Sequence, residues 1–272
     1  MRPHDRGRRK EPPREREERR EHRPEGDLCW GRNPVFTLLE ETPSRCLKVV
    51  LSKTMQRGVF ERLSELCRAE GIPFSLAEPR ALDAMTSGEN HQGVVAVVSQ
   101  AEMLALDAAA ALLPPQPEPA LAILLDHVQD PQNLGAMIRS AEAAGAAFAA
   151  LPLRRSSLPT GTVVKTSAGA SLRFPIAAVG NTASAVRDLQ SAGLWAVGLD
   201  AEAETSIYDG ALPARTLLVV GAEGKGLTRT VASTCDEVMR IPIGGGVGSL
   251  NASVALAVAM FEWVRTNGGA CG

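Results

Sequence analysis

Residues 121–139 read LAILLDHVQDPQNLGAMIR. Leu121–Leu125 is apolar without alternation, the pattern of a strand buried on both faces. A polar turn follows, and the spacing predicts a helix over Asn133–Gly145. The same alternation continues downstream. Strands are predicted at Ala147–Leu151, Pro175–Val179, Trp195–Leu199, Thr216–Val220 and Val238–Ile241. Helices are predicted at Gly161–Ala170, Thr182–Ala192 and Ser249–Arg265. Alternating β and α units with near-continuous apolar strands imply an α/β fold, a parallel sheet covered on both faces.

In such a sheet, ligands bind beyond the carboxyl ends of the strands. Three glycine-bearing polar segments fall there: Asp126–Arg139, Gly221–Leu227 and Ile241–Asn251. In the first, Asn133 serves as a helix N-cap, but Arg139 sits in an Ala/Met/Ile-rich helix, where a charge needs a partner or a cleft. His127 reads as a loop histidine. In the second, GAEGKGL follows a strand without the spacing of a Walker A loop. Its glycines permit close backbone approach to a ligand, and Glu223 is either a structural or a chemical carboxylate. In the third, four glycines in Gly244–Gly248 precede a helix for which Ser249 is the expected N-cap, with Asn251 in its first turn.

Upstream, Asn33–Glu40 and Gln56–Glu70 have helical spacing, while Leu47–Ser52 and Val94–Ser99 read as strands. Pro114, Pro115, Pro117 and Pro119 mark a stiff linker. The expected organisation is a charged tail at 1–26, a small α/β domain at 27–103, a linker at 104–119 and a larger domain at 120–272. Residues 1–25 carry ten Lys/Arg and seven Asp/Glu with almost no apolar residue, a composition that predicts disorder. The remaining chain holds nineteen basic and twenty-four acidic residues, net −5. Bulk charge therefore does not advertise a nucleic-acid binder, and any such face is a local patch. Arg32, Lys53, Arg57, Arg154, Arg155 and Lys165 are candidates for phosphate contacts, or else an ordinary solvated surface.

Of 272 residues, 44% are hydrophobic and 22% charged, as in ordinary globular proteins. No apolar stretch is long enough to span a bilayer and no signal sequence is evident, so the expected location is the cytoplasm. Five widely spaced cysteines form no CxxC pair, so reduced thiols and no metal site are expected.

Taken together, the three segments resemble motifs one, two and three of the SpoU/TrmH family of RNA ribose 2′-O-methyltransferases, in the SPOUT superfamily. The resemblance spans Leu121 to Arg265. Gly31–Val35 (GRNPV) and His91–Ala96 (HQGVVA) are similar to the RNA substrate-binding domain of the RlmB-like branch, which methylates a guanosine ribose in large-subunit (23S) ribosomal RNA. The resemblance implies a SPOUT domain with a deep trefoil knot, a rare exception to the no-knot rule. It also implies a small first domain resembling a ribosomal-protein fold, S-adenosyl-L-methionine as cofactor, ribosomal RNA as partner, and a homodimer with active sites close to the interface. By motif matching, Gly221, Ile241 and Leu250 contact the cofactor largely through backbone. Asn133, Arg139, Glu223, Ser249 and Asn251 take the catalytic positions. The family assigns Arg139 as general base, but a guanidinium stays protonated in proteins. Binding of an RNA phosphate or of the developing alkoxide suits it better. Two other readings remain: a tRNA ribose methyltransferase of the same superfamily, and a non-catalytic RNA-binding assembly factor. A nicotinamide enzyme is disfavoured, because no strand–GxGxxG–helix unit appears.

Overall fold

The computed structural model describes residues 27–99, 102–224 and 226–268; the charged segment 1–26 lies outside them. The first domain runs β1 (Asp27–Trp30), α1 (Arg32–Glu41), β2 (Cys46–Ser52), α2 (Arg57–Ala69), β3 (Phe74–Ala77), α3 (Pro79–Met85) and β4 (Val94–Val98). Its sheet has the order β1-β4-β2-β3. β4 is antiparallel to both neighbours, and β2–β3 is parallel.

The two quoted motifs of this domain form one unit. Gly31 takes φ 98°, open only to glycine at low cost. The backbone N–H of Arg32 donates to Gln92 Oε1 at 2.9 Å, and its Nε donates to the Gln92 carbonyl at 3.3 Å. His91 Nδ1 accepts from the Gly93 N–H at 2.9 Å, which leaves Nε2 as the donor to Asp83 at 3.1 Å. His91 therefore fastens a turn.

The second domain contains α4 (Leu106–Ala110), β5 (Ala120–Asp126), α5 (Pro131–Ala143), β6 (Ala149–Pro152), α6 (Gly161–Thr166), β7 (Ile176–Val179), α7 (Thr182–Ser191), β8 (Trp195–Leu199), β9 (Thr205–Ser206), β10 (Arg215–Gly221), α8 (Arg229–Ala232), β11 (Glu237–Arg240) and α9 (Ala252–Asn267). Seven strands in the order β7-β6-β5-β10-β8-β11-β9 pair entirely in parallel. Along β5, Leu121, Ile123 and Leu125 face a core completed by α5 and α9, while Ala122 and Leu124 face one completed by α4, α7 and α8. The expected two-faced parallel sheet is present.

Two helix starts differ from the sequence reading. Asn133 is not the N-cap of α5: Asp130 Oδ1 accepts the Gln132 N–H at 2.9 Å and Pro131 takes the first helical position, where its missing N–H costs nothing. Ser249 is not the N-cap of α9 either. Asn251 Oδ1 accepts the Ser253 N–H at 2.8 Å, so the helix begins at Ala252.

Residues 104–119 are fastened to the second sheet. Leu104 bridges Ala177 of β7, Ala109 of α4 is buried in the core beneath that helix, and the Arg215 guanidinium donates to the carbonyls of Pro114, Glu118 and Gly193.

The two domains also share packing. Val164 of α6 and Leu172, just beyond it, belong to the first domain's apolar core, alongside Leu38, Val49 and Leu63. A Cβ on Gly161 would lie 1.2 Å from the Leu28 carbonyl oxygen, so only glycine allows this approach. Arg173 donates to Glu41 of α1 at 2.6 Å and to both carboxylate oxygens of Glu142 in α5, at 2.5 and 2.9 Å. Cys29, Cys46 and Cys67 are buried free thiols in the first domain. Burial pushes the Cys29 and Cys46 thiols up to about 12, so they stay protonated and unreactive at neutral pH.

Candidate active site

β5 and β10 end side by side, with Asp126 opposite Gly221. Beyond β10 the chain turns back on itself: the Gly226 N–H donates to the Ala222 carbonyl at 3.0 Å. A Cβ on Gly221 would lie 2.0 Å from the Gly226 carbonyl oxygen, so the fold of this loop depends on glycine there.

This loop, the end of β8 and residues 239–255 enclose a cleft of about 560 Å³, within the usual size of small-molecule sites. Val220, Met239, Ile241, Leu250 and Ala255 give it an apolar wall, and Asp200, Glu202 and Glu223 line the remainder. Three carboxylates on the lining suit a cationic group on a ligand.

At the cleft, side chains from three distant segments join in a chain. Asn251 commits its Oδ1 to Ser253, through the backbone N–H and through Oγ at 2.6 Å. Its Nδ2 is thereby aimed at Asn133 Oδ1, 3.1 Å away. Asn133 then has only its own Nδ2 to give, and this donates to Glu223 Oε1 at 2.6 Å. A carboxylate only accepts, so the polarity of the chain is set from both ends.

Of the sequence candidates, Gly221, Glu223, Ile241, Ser249, Leu250 and Asn251 line the cleft, and Asn133 joins it through this chain. Arg139 does not. It lies six residues beyond Asn133 on α5, about 120° round the helix axis. There it is exposed, with no hydrogen bond or ion pair to another described residue. Asp200 and Glu202 were missed in the sequence. Their signal is an acidic pair just past the carboxyl end of a buried parallel strand, where ligands sit.

Most of the basic candidates are engaged locally. Lys53 pairs with Glu78, Arg57 with Glu61 and Lys165 with Glu89. Arg32 is tied to Gln92. Arg154 and Arg155 are exposed and make no ion pair among the described residues. Among the described residues no three His, Cys, Asp or Glu side chains converge as metal ligands, and no helix is long and apolar enough to cross a membrane.

A profile of the SpoU rRNA Methylase family matches residues 120–261, and one described as RNA 2′-O ribose methyltransferase substrate binding matches residues 28–104. The chain is 39% identical over 240 residues to the 23S rRNA (guanosine-2′-O-)-methyltransferase RlmB of Xanthomonas campestris, covering 88% of this chain and 96% of the relative. It is 38% identical to the protein of the same name from Vibrio cholerae, with the same coverage. Among solved structures, the AdoMet-bound rRNA methyltransferase from Sinorhizobium meliloti superposes with TM-score 0.73 at 25% identity, covering 92% of this chain and 90% of that one. The SpoU methyltransferase AviRb from Streptomyces viridochromogenes, in complex with AdoMet, gives 0.72 at 25% identity, covering 88% and 89%. Profile and relatives agree: the chain belongs to the SpoU rRNA methylase family.

Proposed function

We propose that this protein transfers a methyl group from S-adenosyl-L-methionine to the ribose 2′-hydroxyl of a guanosine in large-subunit ribosomal RNA. The observation that carries this reading is the Glu223–Asn133–Asn251 chain at the acidic cleft. The cleft fits the cofactor by its chemistry. Apolar Ile241 and Leu250 suit an adenine, Gly221 leaves room for close backbone approach, and the carboxylates suit a cationic sulfonium and amine. The bound cofactor supplies an activated methyl group.

The chain's own residues position and shield the acceptor. Asn133 and Asn251 hold fixed amide directions, Glu223 anchors them, and Ser249 offers a hydroxyl beside Asn251. Positioning of this kind accounts for large accelerations when the methyl donor is already activated. Arg139 offers a guanidinium fork to an RNA phosphate or to the developing alkoxide, and the proton leaves through water or phosphate.

The active form in this reading is a homodimer. α9 is apolar round most of its circumference and leaves Val254 and Phe261 each 49% exposed, a pattern that calls for a covering partner. The exposed stripe of α5 beside it carries Arg139 between Ala136 and Ala143. A second copy on this face supplies the cleft edge that Arg139 lacks in one copy. The trefoil knot is part of the same reading, placed in the stretch from β10 to α9. So are the ribosomal-protein-like character of the first domain, the boundaries near 27, 104 and 120, and a cytoplasmic location.

The test is methyl transfer from labelled S-adenosyl-L-methionine to unmodified bacterial large-subunit rRNA, with ribose-methylation mapping and Arg139→Ala as control. One 2′-O-methylguanosine, lost in the variant, is expected. Transfer to tRNA alone would replace the substrate. Absence of both transfer and cofactor binding would overturn the reading in favour of a non-catalytic RNA-binding factor.

A further inference from the structure

A second cleft of about 330 Å³ opens where β5, β6 and β7 end, bounded on its far side by α8. It lies on the α7/α8 side of the sheet, opposite the α5/α9 side that holds the Asn133–Asn251 pair. Asp126, His127, Arg154, Thr182, Thr228 and Thr230 line it with backbone from Gly180 and Asn181.

Asp126 organises this cleft from beneath. It is 1% exposed, and Oδ1 accepts from Thr182 Oγ1 at 2.7 Å and from His127 Nδ1 at 2.7 Å. Its Oδ2 faces Thr228 Oγ1 at 3.4 Å. A carboxylate accepts only, so His127 Nδ1 carries a proton and Nε2 is the ring nitrogen without a partner among the described residues. The negative charge is enclosed by its three donors. The groups left for a ligand are His127, the Thr230 hydroxyl and the unpaired guanidinium of Arg154. Among the six basic candidates, Arg154 and Arg155 alone are free of ion pairs or bonds to described residues, and of these two Arg154 lines this cleft.

The two clefts adjoin along the chain. Gly221–Gly226 borders the first, while Thr228 and Thr230, just beyond, border the second. We propose that the second cleft grips a backbone phosphate of the RNA substrate flanking the methylated nucleotide, with the Arg154 guanidinium donating to that phosphate and His127 Nε2 accepting from an adjoining ribose hydroxyl. A planar cationic fork suits a phosphodiester, an imidazole lone pair suits a ribose hydroxyl, and the volume admits about one nucleotide. The proposal rests on the RNA-methylating reading above.

The test measures methylation kinetics on an rRNA fragment for wild type, Arg154→Gln and His127→Asn. Asparagine is chosen because position 127 takes φ 63°, which asparagine tolerates. KM for RNA is expected to rise about tenfold in Arg154→Gln, the loss of one charge-assisted hydrogen bond, and about fivefold in His127→Asn, the loss of one neutral hydrogen bond. The kcat at saturating RNA should stay within about twofold and cofactor affinity should not change. The dependence of log affinity on log salt should become shallower by about one for Arg154→Gln. An unchanged KM for Arg154→Gln overturns the proposal while leaving the methylation reading intact. Arg154 is exposed and unbonded to described residues, so its result decides even if His127→Asn unfolds. A wild-type protein that methylates no rRNA overturns both readings.

Discussion

Asn133 has one amide, and both of its ends are engaged, one by Asn251 and the other by Glu223. Removing the acceptor therefore does more than remove a charge: it frees Asn133 to rotate. Glu223→Ala is expected to lower the single-turnover methylation rate about 10- to 100-fold, the range set by one hydrogen bond to a charged group. Glu223→Gln keeps an oxygen for Asn133 Nδ2 and should lose distinctly less. Equal losses in the two variants would mean that charge alone matters. The individual residues were partly legible in sequence. Asn133, Glu223 and Asn251 were singled out by motif resemblance in segments beyond the strand ends, but their mutual contacts could not be read. They lie 90 and 118 positions apart, and only the sheet order brings them together. Arg139 shows the opposite problem: motif matching grouped it with Asn133, whereas helical geometry turns it to another face.

At the scale of elements, the buried strands were legible because runs such as Leu121–Leu125 and Thr216–Val220 tolerate no polar alternation when both faces are covered. The short peripheral pieces were not. β1, β3 and β9 have four, four and two residues, and β3 is a half-buried edge strand too short for a pattern to identify it. The caps were misplaced because several Asn, Asp and Ser residues competed near each helix start, and only the bond actually made identifies the cap. The loop after β10 carries the sharpest element-level expectation. Gly221→Ala drives a methyl group into the Gly226 carbonyl and must shift the loop. Cofactor affinity measured by calorimetry should fall at least about tenfold, while thermal stability drops by only a few degrees, because the strain is confined to one turn. A variant with wild-type affinity would show that the loop relaxes freely.

For the whole molecule, the exposed Val254 and Phe261 on α9 set the expected assembly. Phe261→Asp places a charge in the proposed contact, where it would lack a partner. Sedimentation should show the wild type as a dimer and the variant as a monomer with lower methylation activity at equal cofactor affinity. A wild-type monomer at micromolar concentration would refute the dimer. The sequence suggested two domains joined by a proline-rich segment, and composition alone could not show how closely they join. The contact depends on Gly161 and Gly169, whose importance lies in side chains they lack. Val164 and Leu172 supply part of the first domain's interior from a stretch that lies between two strands of the second. In this chain the two regions are therefore fitted to each other. A recombinant that exchanged residues 28–104 for a foreign module would bare these two side chains and leave Arg173 with one carboxylate fewer. Any replacement would have to close over Val164 and Leu172 as residues 28–104 do, so the boundary drawn along the chain is not the boundary drawn through the interior.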